Sequence, residues 1–251
     1  MNSLSILHEE VITVDRNYDT VKLTIQENLS EWSDMYMFDD THHQIRYKTE
    51  GPLIPEVNSK TPILILLSNP HPHSVKQGMF LSPNRIGRTN PFWDTLRGTG
   101  CFEYDNKIDA AVMIKNQYQG PFRFFMAVLL PFPTEDPNHL IDFFGRGEYD
   151  KMVETSKEAI KKLVVDNKIM NIICFGKTQY DIIKKSYFAT GNYISILKDG
   201  SIIKDKIWFS ENISIYLTYP TGWRFAKNHK IFKKDNLIKI FNFITTHSKT
   251  I

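Results

Sequence analysis

Pro62-Ile63-Leu64-Ile65-Leu66-Leu67-Ser68-Asn69-Pro70-His71-Pro72-His73 is a run of apolar residues that stops abruptly on a polar, proline-bracketed segment. Residues 63 to 67 are too few for a helix and too uniformly apolar for a half-exposed strand, so they read as a strand buried on both faces, the kind found inside parallel sheets. Ser68-Asn69-Pro70 then falls at the carboxyl end of that strand, the edge at which open α/β sheets bind their ligands. An Asn followed by Pro at this place reads either as a rigidly held catalytic group or as a turn that merely leaves the strand.

Three further strands follow from the same pattern. Arg123 to Leu130 ends on Pro131-Phe132-Pro133, Asn171 to Gly176 is a third apolar run, and Ile213 to Leu217 ends on Thr218-Tyr219-Pro220-Thr221-Gly222-Trp223-Arg224-Phe225. Helical spacing runs over 147–167, 178–187 and 228–247, and Thr89 or Asn90 can cap a short helix that begins at Pro91 and turns Phe92, Trp93 and Leu96 inward. Helices alternating with apolar strands imply a three-layer α/β/α sandwich around a central, mainly parallel four-stranded sheet, spanning 56–251. Residues 1–55 read as an N-terminal helical extension packed on that core, with its helix at 21–38. Lys198-Asp199-Gly200-Ser201 carries a hairpin signal, and 71–90 reads as a long loop rich in His, Arg and Phe, of the length that is usually functional.

Composition excludes several function classes. At 251 residues with 41% hydrophobic and 24% charged side chains the chain has an ordinary globular balance, and 31 Lys plus Arg against 28 Asp plus Glu leave a mild net charge of +3. The two cysteines, Cys101 and Cys174, fall short of an iron–sulfur or structural zinc set, which points to a reducing, cytoplasmic setting. Asp39-Asp40-Thr41-His42-His43 reads as a solvated loop rather than a metal site, so no metal or cofactor is expected. No membrane segment is expected either, because no run of about 18 apolar residues occurs and the first residues lack a basic stretch leading into an apolar one. No Gly-x-Gly-x-x-Gly or Gly-x-x-x-x-Gly-Lys-Ser/Thr loop follows a strand, which argues against a nucleotide-dependent enzyme.

Taken together, Asn69-Pro70 after an early strand and Tyr219-Pro220-Thr221-Gly222-Trp223-Arg224 after a late one resemble the uracil-DNA glycosylase superfamily over residues 60–245. Gly78-Met79-Phe80-Leu81-Ser82 is similar to that family's base-stacking segment, and Asn90-Pro91-Phe92-Trp93 to the opening of its next helix. The resemblance implies a monomeric, monofunctional DNA glycosylase that flips a base from DNA and hydrolyses its glycosidic bond. Asn69 would orient the attacking water and Tyr219 would donate a hydrogen bond to the departing base. Phe80, or Leu81 one residue on, would stack on the base, with His71 beside it; Thr221, Trp223, Arg224, His73 and Lys227 would hold the DNA strand, and the cleft would be basic. The chain departs from the family pattern where Leu67-Ser68 and His71 replace glycines, and where Ala127 stands in place of the Asn that reads uracil. Loss of that amide implies a larger base pocket and a base other than plain uracil, such as a hypermodified phage base removed in antiviral defence. A glycosylase-like fold that binds nucleic acid without catalysis is the alternative, favoured if Asn69 turns away from the crevice.

Overall fold

A computed structural model describes residues 6–83, 89–187, 191–222 and 228–248. The N-terminal segment contains β1 (Leu7–Thr13), α1 (Tyr18–Asn28), a 3-10 helix (Ser30–Met35), β2 (Tyr36–Asp39) and β3 (Gln44–Glu50). The strands form an antiparallel sheet in the order β1-β3-β2. The expected helical extension is therefore corrected to a helix plus a three-stranded sheet, and its helix ends at Asn28 rather than near 38. The strands escape a hydrophobicity reading because they bury one face only. In β3, Ile45, Tyr47 and Thr49 are buried, whereas Arg46 and Lys48 between them are exposed.

The remainder runs β4 (Thr61–Leu67), α2 (Pro72–Gln77), α3 (Pro91–Arg97), α4 (Ala110–Ile114), β5 (Phe122–Val128), α5 (His139–Asp166), β6 (Asn171–Phe175), α6 (Lys177–Ile183), α7 (Tyr193–Lys198), β7 (Ile203–Ile207), β8 (Ser210–Thr218) and α8 (His229–Ser248). The sheet has five strands in the order β5-β4-β6-β8-β7, parallel except for the edge strand β7. The expectation of four strands missed β7, whose sequence Ile-Lys-Asp-Lys-Ile carries the charges of an edge strand. The expected hairpin at Lys198–Ser201 is also corrected: Gly200 N–H bonds the Leu197 carbonyl and ends α7, and the true hairpin turns at Trp208-Phe209 between β7 and β8. The long loop after β4 is shortened by α2, which His71 caps through Nδ1.

Alternation along the strands builds the layers. Leu64, Leu66, Phe125, Ile172, Cys174, Ile215 and Leu217 face a core completed by α1, α5 and α6. Ile63, Ile65, Leu67, Phe124, Met126, Ile173 and Tyr216 face a second core completed by α3, α4 and α8. The result is a three-layer α/β/α arrangement. Tyr18, Val21, Ile25 and Trp32 belong to the first core, so the N-terminal segment packs on the sandwich as one hydrophobic body. Among the described residues no helix is long and apolar enough to cross a membrane.

Topology also selects one place on the sheet. The chain leaves β4 toward β5 on one side and leaves β6 toward β8 on the other, although β4 and β6 are neighbours. The two crossovers cover opposite faces, which opens a crevice between the carboxyl ends of β4 and β6. Asn69 and Gly176 follow those two ends. Gly176 has φ 138, and a Cβ there would stand 3.0 Å from Gln179 Oε1, so only glycine makes this exit.

Candidate active site

The crevice holds a cleft of about 500 Å³, lined by Ser68, Asn69, His71, His73, Leu81, Asn90, Thr134, Glu135, Phe175, Pro220, Thr221 and Gly222 among others. Its size suits a nucleoside-sized ligand. Asn69 is half-buried at its rim. Its Nδ2 donates to Thr134 Oγ1 (2.8 Å), to the Thr134 carbonyl (3.1 Å) and to the Pro70 carbonyl (3.2 Å), while Ser68 Oγ lies 3.2 Å from Oδ1. Two of those partners are carbonyls that only accept, so they fix which end of the amide is nitrogen. Thr134 is itself held, because its hydroxyl donates to the Asp136 carbonyl at 2.8 Å. The rigidity expected from Pro70 thus comes mainly from Thr134, 65 residues downstream in the loop after β5. Thr134 was not singled out by the sequence, where no local pattern marks it, and Ser68 entered only as a strand-end residue standing in place of a family glycine.

The two histidines are brought to the same cleft. His71 Nδ1 accepts from the His73 backbone N–H at 3.1 Å, which places its neutral-form proton on Nε2. His73 Nε2 donates to the Pro83 carbonyl at 2.7 Å. Trp32 meets both rings edge-on at 6.4 Å, so the N-terminal segment props this wall. Thr221 joins the lining from the end of β8, and Lys233 Nζ of α8 fastens its carbonyl at 2.7 Å.

Several expectations are corrected. Tyr219 does not line the cleft. Its ring is 1% exposed and packs against Leu197, Tyr193 and Phe232, and burial together with the charge of Asp199 pushes its phenol up to about 12. The strand tips carrying Asn69 and Tyr219 are also not adjacent, since β6 lies between β4 and β8. Phe80 reaches the cleft wall but is 1% exposed, in the core with Met79 and Trp93. Trp93 Nε1 donates to the Leu81 carbonyl at 3.0 Å and anchors this segment, which leaves half-buried Leu81, at φ 52, as the apolar surface there. Ala127 faces a different pocket, on the α5 side of β5. The cleft lining among the described residues contains Glu50 and Glu135 but no Lys or Arg, so the basic character expected of it is not found there. Trp223, Arg224 and Lys227 lie outside the described residues. Among the described residues no group of three or more His, Cys, Asp or Glu could hold a metal, and Asp39 instead binds the His42 ring at 2.8 Å in an exposed turn.

Besides the carboxyl groups of Glu50 and Glu135, the cleft has an oriented amide, a hydroxyl beside it, a histidine donor and a threonine. These groups can hold a water by its hydrogen bonds and can bind a polar ring or a phosphate; no strong base is among them. Neither a protein-family model nor a curated protein matches the chain.

Proposed function

We propose that the chain is a DNA glycosylase that hydrolyses an N-glycosidic bond in the cleft at the ends of β4 and β6. The observation that carries this reading is the Asn69 amide, whose nitrogen is occupied by Thr134 and Pro70 so that Oδ1, with Ser68 Oγ beside it, is the acceptor left for a water. Loss of the base generates an electrophilic sugar carbon, so a positioned water suffices and a strong base is not required. In this reading the nucleotide is flipped into the cleft, Leu81 lies against it, His71 donates from Nε2 toward the departing base, and Thr221 binds a flanking phosphate. His71 takes the part that the sequence assigned to Tyr219. The resemblance to the uracil-DNA glycosylase superfamily supports the same reaction, and the departures from its motifs favour a modified base over plain uracil.

The test is incubation with DNAs carrying uracil, methylated, hydroxymethylated or glucosylated bases, with abasic sites revealed by alkali. Strand breaks from one of these DNAs, absent with Asn69→Ala, are the expected result. The burial of Tyr219 and Phe80 favours a second reading, a glycosylase-like fold that binds nucleic acid without cutting it. That reading is distinguished by DNA retention without abasic sites from any member of the panel.

A further inference from the structure

Glu50 ends β3 in the wall that the Asn69 cleft shares with a second, apolar pocket of about 140 Å³, lined by Ala127, Val128, Ile160 and Leu163. The residue is 2% exposed, and its Oε1 is sealed from solvent with no hydrogen-bond partner among the described residues. The backbone holds it there: Leu7 pairs with Glu50 across β1 and β3, and the Gly51 N–H donates to the Ile6 carbonyl at 2.6 Å. Its neighbour Thr49 instead has a partner, donating to the Pro131 carbonyl. An unpaired buried carboxylate is so unfavourable that the group takes up a proton, and burial holds the Glu50 carboxyl well above the usual range. A protonated carboxyl offers one O–H donor beside one carbonyl acceptor, the same pair that a side-chain amide offers.

We propose that Glu50 is the specificity residue of this cleft, pairing its carboxyl as one donor and one acceptor with a planar ring edge that sets an N–H beside an acceptor, as a nucleobase does. The identity of the ring rests on the base-releasing reading above; the pairing role of Glu50 does not. It supplies what the methyl group of Ala127 cannot, from a strand outside the central sheet. The titratable groups around it are His8 and Glu10 of β1, joined at 2.9 Å, His71 and His73 at the start of α2, and Glu135 after β5. From α5 only the uncharged Thr155, Ser156 and Ala159 face it alongside the apolar residues. Ionisation of Glu50, as pH rises through its raised range, turns its donor into a second acceptor and breaks the match.

Wild type, Glu50→Leu and Glu50→Gln are compared for abasic-site formation on the DNA panel across pH. Glu50→Leu, close in volume, is expected to lower kcat/KM by about 10- to 100-fold with DNA affinity unchanged. Glu50→Gln is expected to rescue turnover and to lose the wild type's decline with rising pH, because an amide keeps its donor at every pH. Full turnover by Glu50→Leu, or the same decline with rising pH in Glu50→Gln, overturns the proposal. A wild type that releases no base from any DNA overturns the base-releasing reading instead. Glu50 is then decided by calorimetric titration of the three proteins with uridine, cytidine, inosine and adenosine. Binding by wild type and Glu50→Gln but not Glu50→Leu supports the assignment, and equal binding by all three, or by none, overturns it. Thermal unfolding guards against misfolding with its own signature. A carboxyl raised in the folded state contributes stability that is full below the unfolded range near 4.5 and is lost as pH rises. Glu50→Gln should therefore be more stable than wild type at neutral pH, with the difference closing as pH falls toward that range.

Discussion

The chain leaves β4 and β8 through the same kind of sequence, a polar or amphipathic residue followed by proline, and the fold treats the two exits oppositely. Asn69-Pro70 presents its side chain to the cleft, with three hydrogen bonds from one amide nitrogen fixing its orientation. Tyr219-Pro220 turns its ring inward against Leu197 and Phe232, and only Pro220 and Thr221 reach the cleft. The difference is one of what burial is worth. An amide gains little from leaving water and much from partners that hold it at a rim, whereas a Tyr ring contributes a large apolar area once packed. A motif therefore marks where a chain reaches a ligand-binding edge, and the side chain's own transfer energy decides which way it points there.

That contrast separates stability from activity, and the largest expected effect tests its buried half. Tyr219→Ala removes a ring that is 1% exposed and should cost about 3–5 kcal/mol of folding free energy, measured by urea unfolding. Tyr219→Phe keeps the ring, so base release should stay within about threefold of wild type, within the scatter of a peripheral change. A large loss of turnover in the Phe variant at unchanged stability would return the phenol to the chemistry and erase the contrast. The opposite pattern is expected at the other tip. Asn69→Ala should lower the rate of base release by about 100- to 1000-fold, the usual loss for one preorganised polar group, while affinity for DNA changes little because binding is mainly phosphate electrostatics. A single-turnover assay beside a binding titration reads both quantities, and undiminished turnover would remove Asn69 from the mechanism.

Thr134 sharpens the comparison because it acts on Asn69 without reaching the ligand in this reading. Thr134→Val keeps the volume and deletes the hydroxyl that takes the 2.8 Å bond from Asn69 Nδ2. The carbonyls of Thr134 and Pro70 still hold the amide, so kcat should fall about tenfold with KM unchanged, and stability should fall by about 1–3 kcal/mol for the two lost bonds, from Asn69 Nδ2 and to the Asp136 carbonyl. A fall in stability alone would mean that the amide is positioned by its carbonyl partners without the hydroxyl.

The parallel strands were legible because residues buried on both faces leave long apolar runs, and Asn90 was legible as a cap because its side-chain Oδ1 accepts from the Phe92 N–H at 3.0 Å within its own helix turn. What escaped depends on contacts distant in sequence. β1 and β7 carry their titratable residues in one block, His8-Glu9-Glu10 and Lys204-Asp205-Lys206, and take shape only once paired, the one with β3 and the other with β8. The partnership of Asn69 with Thr134 spans two strands, and the burial of Glu50 arises where β3 meets the cleft wall. Charge at position 50 gives no local sign of being enclosed. Ile45, Tyr47 and Thr49 mark the inward face of β3, and Glu50 is out of phase with them.

Ala127 offers the smallest effect and the most direct check of which wall reads the ligand. The sequence reading made its methyl group the reason for an enlarged base pocket, one that Ala127→Asn would close. In the structure Ala127 pairs with Leu66 and faces α5, in the 140 Å³ pocket on the other side of Glu50 from the Asn69 cleft. That pocket exceeds the volume of an added carboxamide, which is on the order of one or two waters at about 30 Å³ each. Ala127→Asn should therefore change base release by less than about threefold, at a modest stability cost of about 1–2 kcal/mol for burying the amide. Abasic-site formation on plain and modified bases, compared between Ala127→Asn and Glu50→Leu, ranks the two walls. If the Asn variant loses activity on a bulky base and gains it on uracil, the base enters the α5-side pocket and Glu50 stands at its threshold; if only Glu50→Leu responds, the ligand is read on the cleft side alone.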